Sequence, residues 1–313
     1  MQFSFFTSTY NRSSCIERFI QSLRSQTYSN WELIVVNDGS IDNTADKLTE
    51  WSILDNRIKA INYIDNCGHP AALFNAKVCK QLKGDFVIFL GSDDWLIDED
   101  CLVTILKTIQ SQTQEFWKFG FTWIHEHSLD EMQVVNNLPK RVFSSEEVIQ
   151  DSYPDADFVF VYRKQYWDAF DSYFDHPDKF FSAFYDVALN HHYLEAFFNI
   201  PVVVAGWGDD NVTKGNNEAL YFRWSLMHRL YMVSRYGDRM GINYLSYTMR
   251  SISLSAFLPY STLNQSLALA LKSMRLAVTF MGTALLCIMG ALWPFKSLGA
   301  SVRKRIQASK KRR

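Results

Sequence analysis

The chain has 313 residues, of which 48% are hydrophobic and 15% aromatic. This composition excludes a disordered chain and is sufficient for one large α/β domain with an appendage, or for two modest domains. The net charge of −1 is unevenly distributed, because residues 214–313 contain 16 Lys and Arg against two acidic residues and carry +14. The first 213 residues therefore carry −15, and this asymmetry suggests two different partners.

The five cysteines are odd in number and show no CxxC pairing. We interpret them as small apolar residues of a reducing compartment. The initial stretch MQFSFFTSTYNR enters a strand pattern at once, without a basic region or a cleavage site. No secretory signal peptide is therefore expected, and any catalytic part is predicted to face the cytoplasm.

Short apolar runs alternate with amphipathic stretches over the first part of the chain. The predicted order is strand FSFF, helix SSCIERFIQSLRSQ, strand WELIVVND, helix NTADKLTEWSI, strand IKAINYI, helix PAALFNAKVCKQLKG and strand DFVIFL. Ser13 or Ser14 is expected to cap the first helix, and Asn43 the second. Such alternation is typical of a parallel sheet with right-handed crossovers.

Beyond residue 110 the pattern is less regular. Strands are predicted over FWKFGFTWIH, DFVFVYR and IPVVVAGW, and a helix over FFSAFYDVALNHHYLEAF. His125 and His127 could form a metal pair on one face of the first of these strands, but no third ligand is evident.

Polar segments follow three of the predicted parallel strands. They are TSTYN after the first strand, NDGS after the second and SDD after the fourth. In open α/β sheets, ligands bind beyond the carboxyl ends of the strands, so the three segments are expected to converge. The Walker GxxxxGK[ST] and GxGxxG motifs are absent, so a P-loop NTPase and a Rossmann dehydrogenase both lack their motif.

Asp93 and Asp94 follow a strand that is expected to be buried, where two like charges are costly. A hard cation such as Mg²⁺ or Mn²⁺, shared with phosphate oxygens, would stabilise both. The alternative is that Ser92 or Asp93 caps a helix beginning near Trp95, and the SDD motif alone favours this alternative. Asp38 could accept hydrogen bonds from a base or ribose, or could simply open an Asp-Gly turn.

Five segments together resemble the inverting family-2 glycosyltransferases of the GT-A fold. They are TSTYNR, QTYSNWELIVVNDGSIDNT, NCGHPAALFNA, KGDFVIFLGSDDW and a later carboxylate. The resemblance covers roughly residues 3–100. It implies a GT-A nucleotide-diphospho-sugar transferase fold, which is a Rossmann-like, mostly parallel sheet flanked by helices. It also implies a UDP- or GDP-linked sugar donor, Mn²⁺ or Mg²⁺ as cofactor, and a single displacement that inverts the anomeric carbon.

The resemblance also implies roles for individual residues. Those on the nucleotide-sugar side are Ser8, Tyr10, Asp38, Asn66, Gly68 and Asp93. Asp93 and Asp94 form the metal motif, with Asp94 as the direct ligand. The segment of Asn66 and Gly68 extends to Ala72 and Asn75. One departure is Gly91, where the family often has an acid.

An inverting transfer needs a carboxylate that takes the proton from the acceptor hydroxyl. By resemblance this base is Asp186, at the start of a helix that runs to Tyr193. The alternative is an Asp that interacts only with the helix dipole. The reserve candidates for the base are Asp171, Asp175 and Asp178. Arg223 and Trp224 resemble part of the QxxRW motif of processive synthases, and we interpret them as acceptor-side or membrane-interface residues.

Residues 276–295 are uncharged and reach the lower limit for a spanning helix, and a buried core helix is the alternative. The basic carboxyl-terminal end should stay in the cytoplasm. If residues 276–295 crossed the membrane once, the catalytic part would lie outside the cell, away from cytosolic nucleotide sugars. A helical hairpin of 251–271 and 276–295, or helices lying in the interface, resolves this conflict. In a hairpin, Lys272 and Arg275 would lie at the far tip, where their charges are costly unless they reach lipid headgroups. We therefore favour interfacial or re-entrant attachment.

We therefore predict three regions: 1–110 and 111–215 as the nucleotide-sugar and acceptor halves of a GT-A domain, and 216–313 as a basic, hydrophobic helical region. The last would bind anionic lipid at the cytoplasmic face of the inner (plasma) membrane. The predicted activity is transfer of a hexose to a lipid-linked glycan in cell-surface polysaccharide or glycoconjugate synthesis. Alternatives are a polyprenyl-phosphate sugar synthase and an inactive nucleotide-sugar-binding assembly protein. Nucleic acid is not expected as a partner. The alternative hypothesis for the basic tail is that it binds nucleic acid instead of a membrane.

Overall fold

The computed structural model describes residues 1–68, 72–73, 76–126, 142–149, 158–169 and 192–206. The strands in these ranges are β1 (Phe3–Thr9), β2 (Trp31–Asp38), β3 (Ile58–Tyr63), β4 (Phe86–Phe89), β5 (Trp95–Leu96), β6 (Lys118–His125), β7 (Val142–Ser144), β8 (Phe158–Arg163) and β9 (Leu194–Ala205). The helices are α1 (Ser13–Arg24), α2 (Thr44–Leu54), α3 (Ala76–Cys79), α4 (Cys101–Gln110), α5 (Ser145–Ile149) and α6 (Lys164–Trp167).

These strands form one mixed sheet in the order β3-β2-β1-β4-β8-β6-β9-β5, with β7 paired to β9. β1 to β4 run parallel, β8 is antiparallel to both of its neighbours, and β6 is parallel to β9. Consequently β1, β2, β3, β4, β6 and β9 all end at the same side of the sheet. We call this side the carboxyl edge.

Both faces of the parallel part are covered by apolar side chains. Along β1, Phe3 and Phe5 contribute to one buried cluster together with residues of α1 and α4, whereas Phe6 contributes to a second cluster. The alternation follows from the two-residue period of a strand. A strand buried on both sides is continuously apolar, which explains why the runs in β1 and β2 were predictable from the sequence.

The predicted positions of the parallel strands are confirmed, and Asn43 occupies the N-cap position of α2 as predicted. The predicted cap of α1 is wrong, because Ser13 and Ser14 lie inside the helix. Arg12 and Asn43 occupy the N-cap positions of α1 and α2, and neither side chain accepts a capping hydrogen bond. The carboxylate of Asp42 instead accepts the N–H of Thr44, at 3.0 Å. An acceptor one residue earlier therefore serves the first turn of α2.

The third helix was predicted to end at Gly84, and this end is wrong. The described helical residues stop at Cys79. The N–H groups of Lys83 and Gly84 donate to the side chains of Glu32 and Ser4, at 2.6 and 2.7 Å. These bonds attach the segment to the sheet, so the backbone donors are not available for a longer helix.

The predicted helix over 180–197 is also wrong at its end. Leu194 begins β9, and the segment 195–198 pairs with Lys118 to Phe121 of β6. His192, just before the strand, has a positive φ of 51°. The expectation that the helix of Asp186 extends through Tyr193 is therefore incorrect, and Asp186 itself lies outside the described residues.

Lys118 and Glu195 form a buried ion pair between β6 and β9. Lys118 Nζ lies 2.9 Å from Glu195 Oε2, and the two side chains are 11% and 4% exposed. The contact is an ion pair rather than an aligned hydrogen bond, because that oxygen has no partner with hydrogen-bond geometry. Trp117 Nε1 donates to the other carboxylate oxygen at 3.3 Å.

Replacing Lys118 with Met is expected to lower the free energy of unfolding by about 3–5 kcal/mol, because it leaves Glu195 buried without its cation. Urea denaturation measures this change. Lys164→Met is the matched control, since Lys164 pairs with the more exposed Asp168 at 2.6 Å. Its loss should be below about 1 kcal/mol. Equal losses for the two variants would contradict the prediction.

Within the described ranges, no helix is long and apolar enough to cross a membrane. Residues 216–313, to which membrane attachment was assigned, lie outside these ranges. Their attachment therefore stays a prediction, as does the division into three regions.

Candidate active site

The polar segments after β1 and β2 are bound to each other at the carboxyl edge. The N–H of Asn11 donates to Ser40 Oγ at 3.0 Å, and the N–H of Ile41 donates to Asn11 Oδ1 at 2.8 Å. Asn11 has a positive φ of 53°, a conformation that Asn adopts more readily than most residues. The adjacent Tyr10 is 41% exposed, so its ring is accessible at this edge.

The segments after β2 and β3 are joined by the carboxylate of Asp38. It accepts the N–H groups of Cys67 and Gly68, each at 2.9 Å, and the thiol of Cys67 at 3.1 Å. Partial burial, and then the carboxylate of Asp38, raise the pKa of the Cys67 thiol to about 12, so the thiol keeps its proton. Asn66 Nδ2 donates to the Asp38 carbonyl oxygen at 3.1 Å. Asp38 therefore organises the loop that contains Asn66 and Gly68.

Gly39 allows these two loops to approach. Its φ is +71°, and a Cβ at this position would lie 2.7 Å from the backbone nitrogen of Asn66. Any side chain would therefore separate the two loops and would also strain the backbone.

We expect Gly39→Ala to weaken nucleotide binding by about tenfold to a hundredfold, because a small misplacement of a binding loop has effects of that size. Titration calorimetry with UDP or GDP measures the change. Ser40 lies next to Gly39, and Ser40→Ala removes only the hydrogen bond that Ser40 Oγ accepts from the N–H of Asn11. It adds no atoms between the loops, so it should have the smaller effect. Unchanged affinity in Gly39→Ala would contradict the role of this contact.

The side chain of Asp94 is buried at the end of the fourth parallel strand. The residue is 8% exposed, and its carboxylate accepts the N–H groups of Gly91 at 3.0 Å and of Gly206 at 3.1 Å. Burial, and next the charge of Asp93, raise the pKa of the Asp94 carboxyl to about 7. Within the described residues no cationic side chain forms an ion pair with it. The carboxylate is therefore a buried group that a cation would stabilise.

Asp93 has different surroundings. Arg12 Nη1 lies 3.1 Å from Asp93 Oδ2. Arg18 Nη2 donates to the Asp93 carbonyl oxygen at 3.4 Å, and its guanidinium lies 3.5 Å from the centre of the Trp95 ring. The same guanidinium pairs with Glu126 at 3.0 Å. The first turns of α1 therefore fix the Asp93–Asp94 turn from one side.

The alternative of a helix start at this turn is wrong. Trp95 and Leu96 form β5, which pairs with Val204 and Val203 of β9, and the next helix begins only at Cys101. The two acids therefore do not serve a helix terminus. They precede a short strand that brings the end of β9 next to them.

Two glycines allow the close packing of this turn. A Cβ at Gly91 would lie 2.8 Å from a carboxylate oxygen of both Asp93 and Asp94, and a Cβ at Gly206 would lie 2.2 Å from the Asp93 carbonyl oxygen. The acid that the family resemblance led us to expect at position 91 would therefore require the two carboxylates to move.

Several predicted site residues thus lie at one edge of the sheet. They are Tyr10, Asp38, Asn66, Gly68, Asp93 and Asp94, with the buried Ser8 near the end of β1. Asn75, Asp186, Arg223 and Trp224 lie outside the described residues. Sequence reasoning did not identify Arg12, Arg18, Glu126 or Gly206 as part of this arrangement. Arg12 stood within the TYNR motif, which was the one available signal.

The donor atoms of the Asp93–Asp94 turn fit a hard divalent cation in part. In the described ranges there is no cluster of three or more His, Cys, Asp and Glu side chains that could hold a metal. Mg²⁺, however, is commonly bound by one or two carboxylates together with substrate phosphates and water. The two carboxylates therefore suit an ion that is shared with a ligand.

Comparison with known proteins identifies this arrangement. Residues 4–127 match the family described as Glycosyl transferase family 2. Residues 4–127 are a family 2 glycosyltransferase domain. This domain contains the carboxyl-edge segments from Tyr10 to Asp94, and its match ends at residue 127, two positions after the last residue of β6. The family resemblance inferred from the sequence is confirmed.

Two curated relatives match within the family 2 domain. Glycosyltransferase GlyA of Streptococcus pneumoniae serotype 4 is 37% identical over 100 residues, which are 32% of this chain and 14% of that protein. The Escherichia coli enzyme WfgD is 39% identical over 92 residues, 29% of this chain and 35% of that protein. Its full name is UDP-Glc:alpha-D-GlcNAc-diphosphoundecaprenol beta-1,3-glucosyltransferase. The matches span at most about a third of the length of these relatives.

A solved structure with a similar fold is that of Staphylococcus aureus TarS 1–349 in complex with UDP-GlcNAc. The TM-score is 0.58 at 14% sequence identity, and the match covers 97% of this chain and 92% of that one. Together with the mixed α/β sheet around the family 2 domain, this similarity confirms the expected GT-A fold.

Proposed function

We propose that the chain transfers a sugar from a UDP- or GDP-linked donor to an acceptor hydroxyl. The observation that supports this most directly is the Asp93–Asp94 turn at the carboxyl edge of a family 2 domain. There a buried carboxylate has two backbone N–H donors and, among the described residues, no ion pair with a cationic side chain. A nucleotide sugar with a divalent metal supplies the missing positive charge.

On the donor side, the exposed ring of Tyr10 would stack on the base. The Asp38 loop would border the nucleoside, with Gly68 allowing its backbone to come close. Asp94, as the direct ligand within the Asp93–Asp94 motif, would hold Mn²⁺ or Mg²⁺ next to the diphosphate. When bound, such a cation neutralises the charge that develops on the departing nucleoside diphosphate.

On the acceptor side, we propose Asp186 as the base that takes the proton from the attacking hydroxyl, with inversion at the anomeric carbon. The support for this role is the family resemblance and the position of Asp186 in the sequence. Arg223 and Trp224 are proposed to lie near the acceptor or the membrane interface.

The proposed acceptor is a lipid-linked glycan of cell-surface polysaccharide or glycoconjugate synthesis. The name of WfgD states that this relative acts on a sugar attached to diphosphoundecaprenol. The +14 charge of residues 214–313 supports attachment to anionic lipid. We therefore propose that the reaction takes place at the cytoplasmic face of the inner membrane, where cytosolic nucleotide sugars are available.

Thermal unfolding of the full chain tests the donor part of this proposal. UDP-glucose, UDP-GlcNAc and GDP-mannose are each added with Mn²⁺, Mg²⁺ or EDTA. One nucleotide class should stabilise the protein only with metal, by about 2.7 kcal/mol when the ligand is at a hundred times its Kd. Absence of stabilisation by every nucleotide sugar would contradict the proposal.

A further inference from the structure

The two adjacent carboxylates of the turn are unequally neutralised. Asp93 is paired with Arg12 at 3.1 Å, and the side chains of this pair are only 15% and 11% exposed. Asp94 has the backbone N–H groups of Gly91 and Gly206 as its partners within the described residues. The guanidinium of Arg12 thus forms an ion pair with Asp93 and not with Asp94.

The guanidinium of Arg18, which also lies near the turn, does not neutralise Asp94. Arg18 contacts the carbonyl oxygen of Asp93 and pairs with the carboxylate of Glu126 at 3.0 Å. Both of these side chains are more than 40% exposed, so solvent screens their charges. Arg18 therefore positions the backbone of the turn. Asp94 is left with the electrostatic attraction of Arg12, which is paired to Asp93, and has no ion pair of its own among the described residues.

The position of Arg12 is set by the segment that connects β2 to α2. Its N–H donates to Thr44 Oγ1 at 3.2 Å, at the start of α2. The preceding Asn11 is bonded to Ser40 and Ile41, also in the loop after β2. The guanidinium therefore meets Asp93 from an anchored backbone, which lowers the entropy lost when the ion pair forms.

The affinity of an oxygen site for a divalent cation rises with the number of charged ligands. Two unpaired carboxylates would bind a cation whether or not a donor is present. A single uncompensated carboxylate binds it weakly until phosphate oxygens complete the coordination shell. Arg12 determines which of these two situations applies.

We propose that Arg12 is a positioning residue that keeps Asp93 as an internal counter-ion, so that Asp94 alone faces the cation. Metal then binds tightly only together with the donor diphosphate. This inference rests on the proposed function, because it assumes a divalent cation at Asp94. It assigns to Arg12 a role that differs from contact with the sugar or the base.

A titration of the full chain with Mn²⁺ tests the inference without any turnover. The electron paramagnetic resonance signal of free Mn²⁺ measures how much of the metal is bound. The probes are Mn²⁺ alone and Mn²⁺ with UDP or GDP. Arg12→Met should bind Mn²⁺ alone about tenfold more tightly than the wild type, since a second carboxylate becomes available. Arg12→Lys should resemble the wild type, because it keeps the positive charge.

Two further variants complete the experiment. Arg24→Met removes an ion-paired arginine from the far end of α1, where Arg24 lies 3.4 Å from Asp55, and should leave Mn²⁺ affinity unchanged. The double variant Arg12→Met/Asp93→Asn removes both charges of the pair and should return to wild-type affinity. Because this double variant has no unpaired carboxylate at position 93, it tests the inference even if Arg12→Met alone does not fold.

The outcomes separate the inference from the proposed function. Wild-type protein that binds no Mn²⁺ with either nucleotide would overturn both. Wild-type protein that binds the Mn²⁺–nucleotide pair, together with an Arg12→Met variant of equal or weaker Mn²⁺ affinity, would overturn only the inference. Loss of Mn²⁺ binding in the double variant would also overturn it, since Asp93 would then be a required ligand.

Discussion

Replacing Asp94 with Ala is expected to reduce metal-dependent donor turnover by about 10³-fold. A divalent cation contributes several kcal/mol of charge stabilisation to such a reaction, and about 4 kcal/mol corresponds to that factor. In the protein, Asp94 is the buried carboxylate of the turn, with its pKa raised to about 7 by burial and then by Asp93. Release of nucleoside diphosphate from UDP- or GDP-sugars, with and without acceptor, measures the loss.

Asp85→Ala is the matched control for this prediction. Asp85 precedes the same strand at its opposite end, where its carboxylate accepts the N–H of Gln2 at 2.7 Å and is well exposed. Its removal should leave turnover within about twofold of the wild type, as is usual for exposed residues away from a site. If Asp94→Ala retained metal-dependent turnover, the assignment of the metal to this turn would be wrong.

The second large effect is expected for Gly206→Ala. A Cβ at this position would lie 2.2 Å from the Asp93 carbonyl oxygen, which is well inside contact distance. The end of β9 must then move away, and Asp94 loses the N–H of Gly206 that it accepts at 3.1 Å. Because a displacement of about 1 Å can reduce activity by about 10²-fold, we expect a loss of that size in kcat/KM.

Gly84→Ala distinguishes this effect from a general loss of stability. A Cβ at Gly84 would lie 2.7 Å from the backbone atoms of Gln2 and Ser4, at the opposite edge of the sheet. Both variants should lower the unfolding temperature, since overpacking costs about 1–3 kcal/mol. Only Gly206→Ala should also weaken Mn²⁺–nucleotide binding. Equal binding by the two variants would contradict a role for Gly206 in the site.

The parallel half of the sheet could be predicted from the sequence for a physical reason. Its strands are buried on both faces, so segments such as WELIVVND are nearly continuous apolar runs. Their ends converge because parallel strands terminate at one edge. Asp38 and Asp94 could therefore be placed together before the structure was known.

The later part of the chain was less predictable because its partners are distant in sequence. Glu195 and Ala196 are good helix formers, but they pair with β6 and lie in a strand. Tertiary pairing overrode the local preference.

The same limitation applies to the site. Gly206 meets Asp94 from 112 positions away, and Arg18 meets Glu126 from 108 positions away. A local motif cannot reveal such contacts. The TYNR motif likewise contained Arg12 without indicating that its guanidinium would pair with Asp93.

The most direct test of the proposed site is the position of bound Mn²⁺. Crystals of the protein with Mn²⁺ and UDP or GDP would be measured at a wavelength where manganese scatters anomalously. We predict a single anomalous peak about 2.2 Å from a carboxylate oxygen of Asp94, beside the diphosphate, with Arg12 still paired to Asp93. A peak elsewhere, with Asp94 bonded only to Gly91 and Gly206, would contradict it.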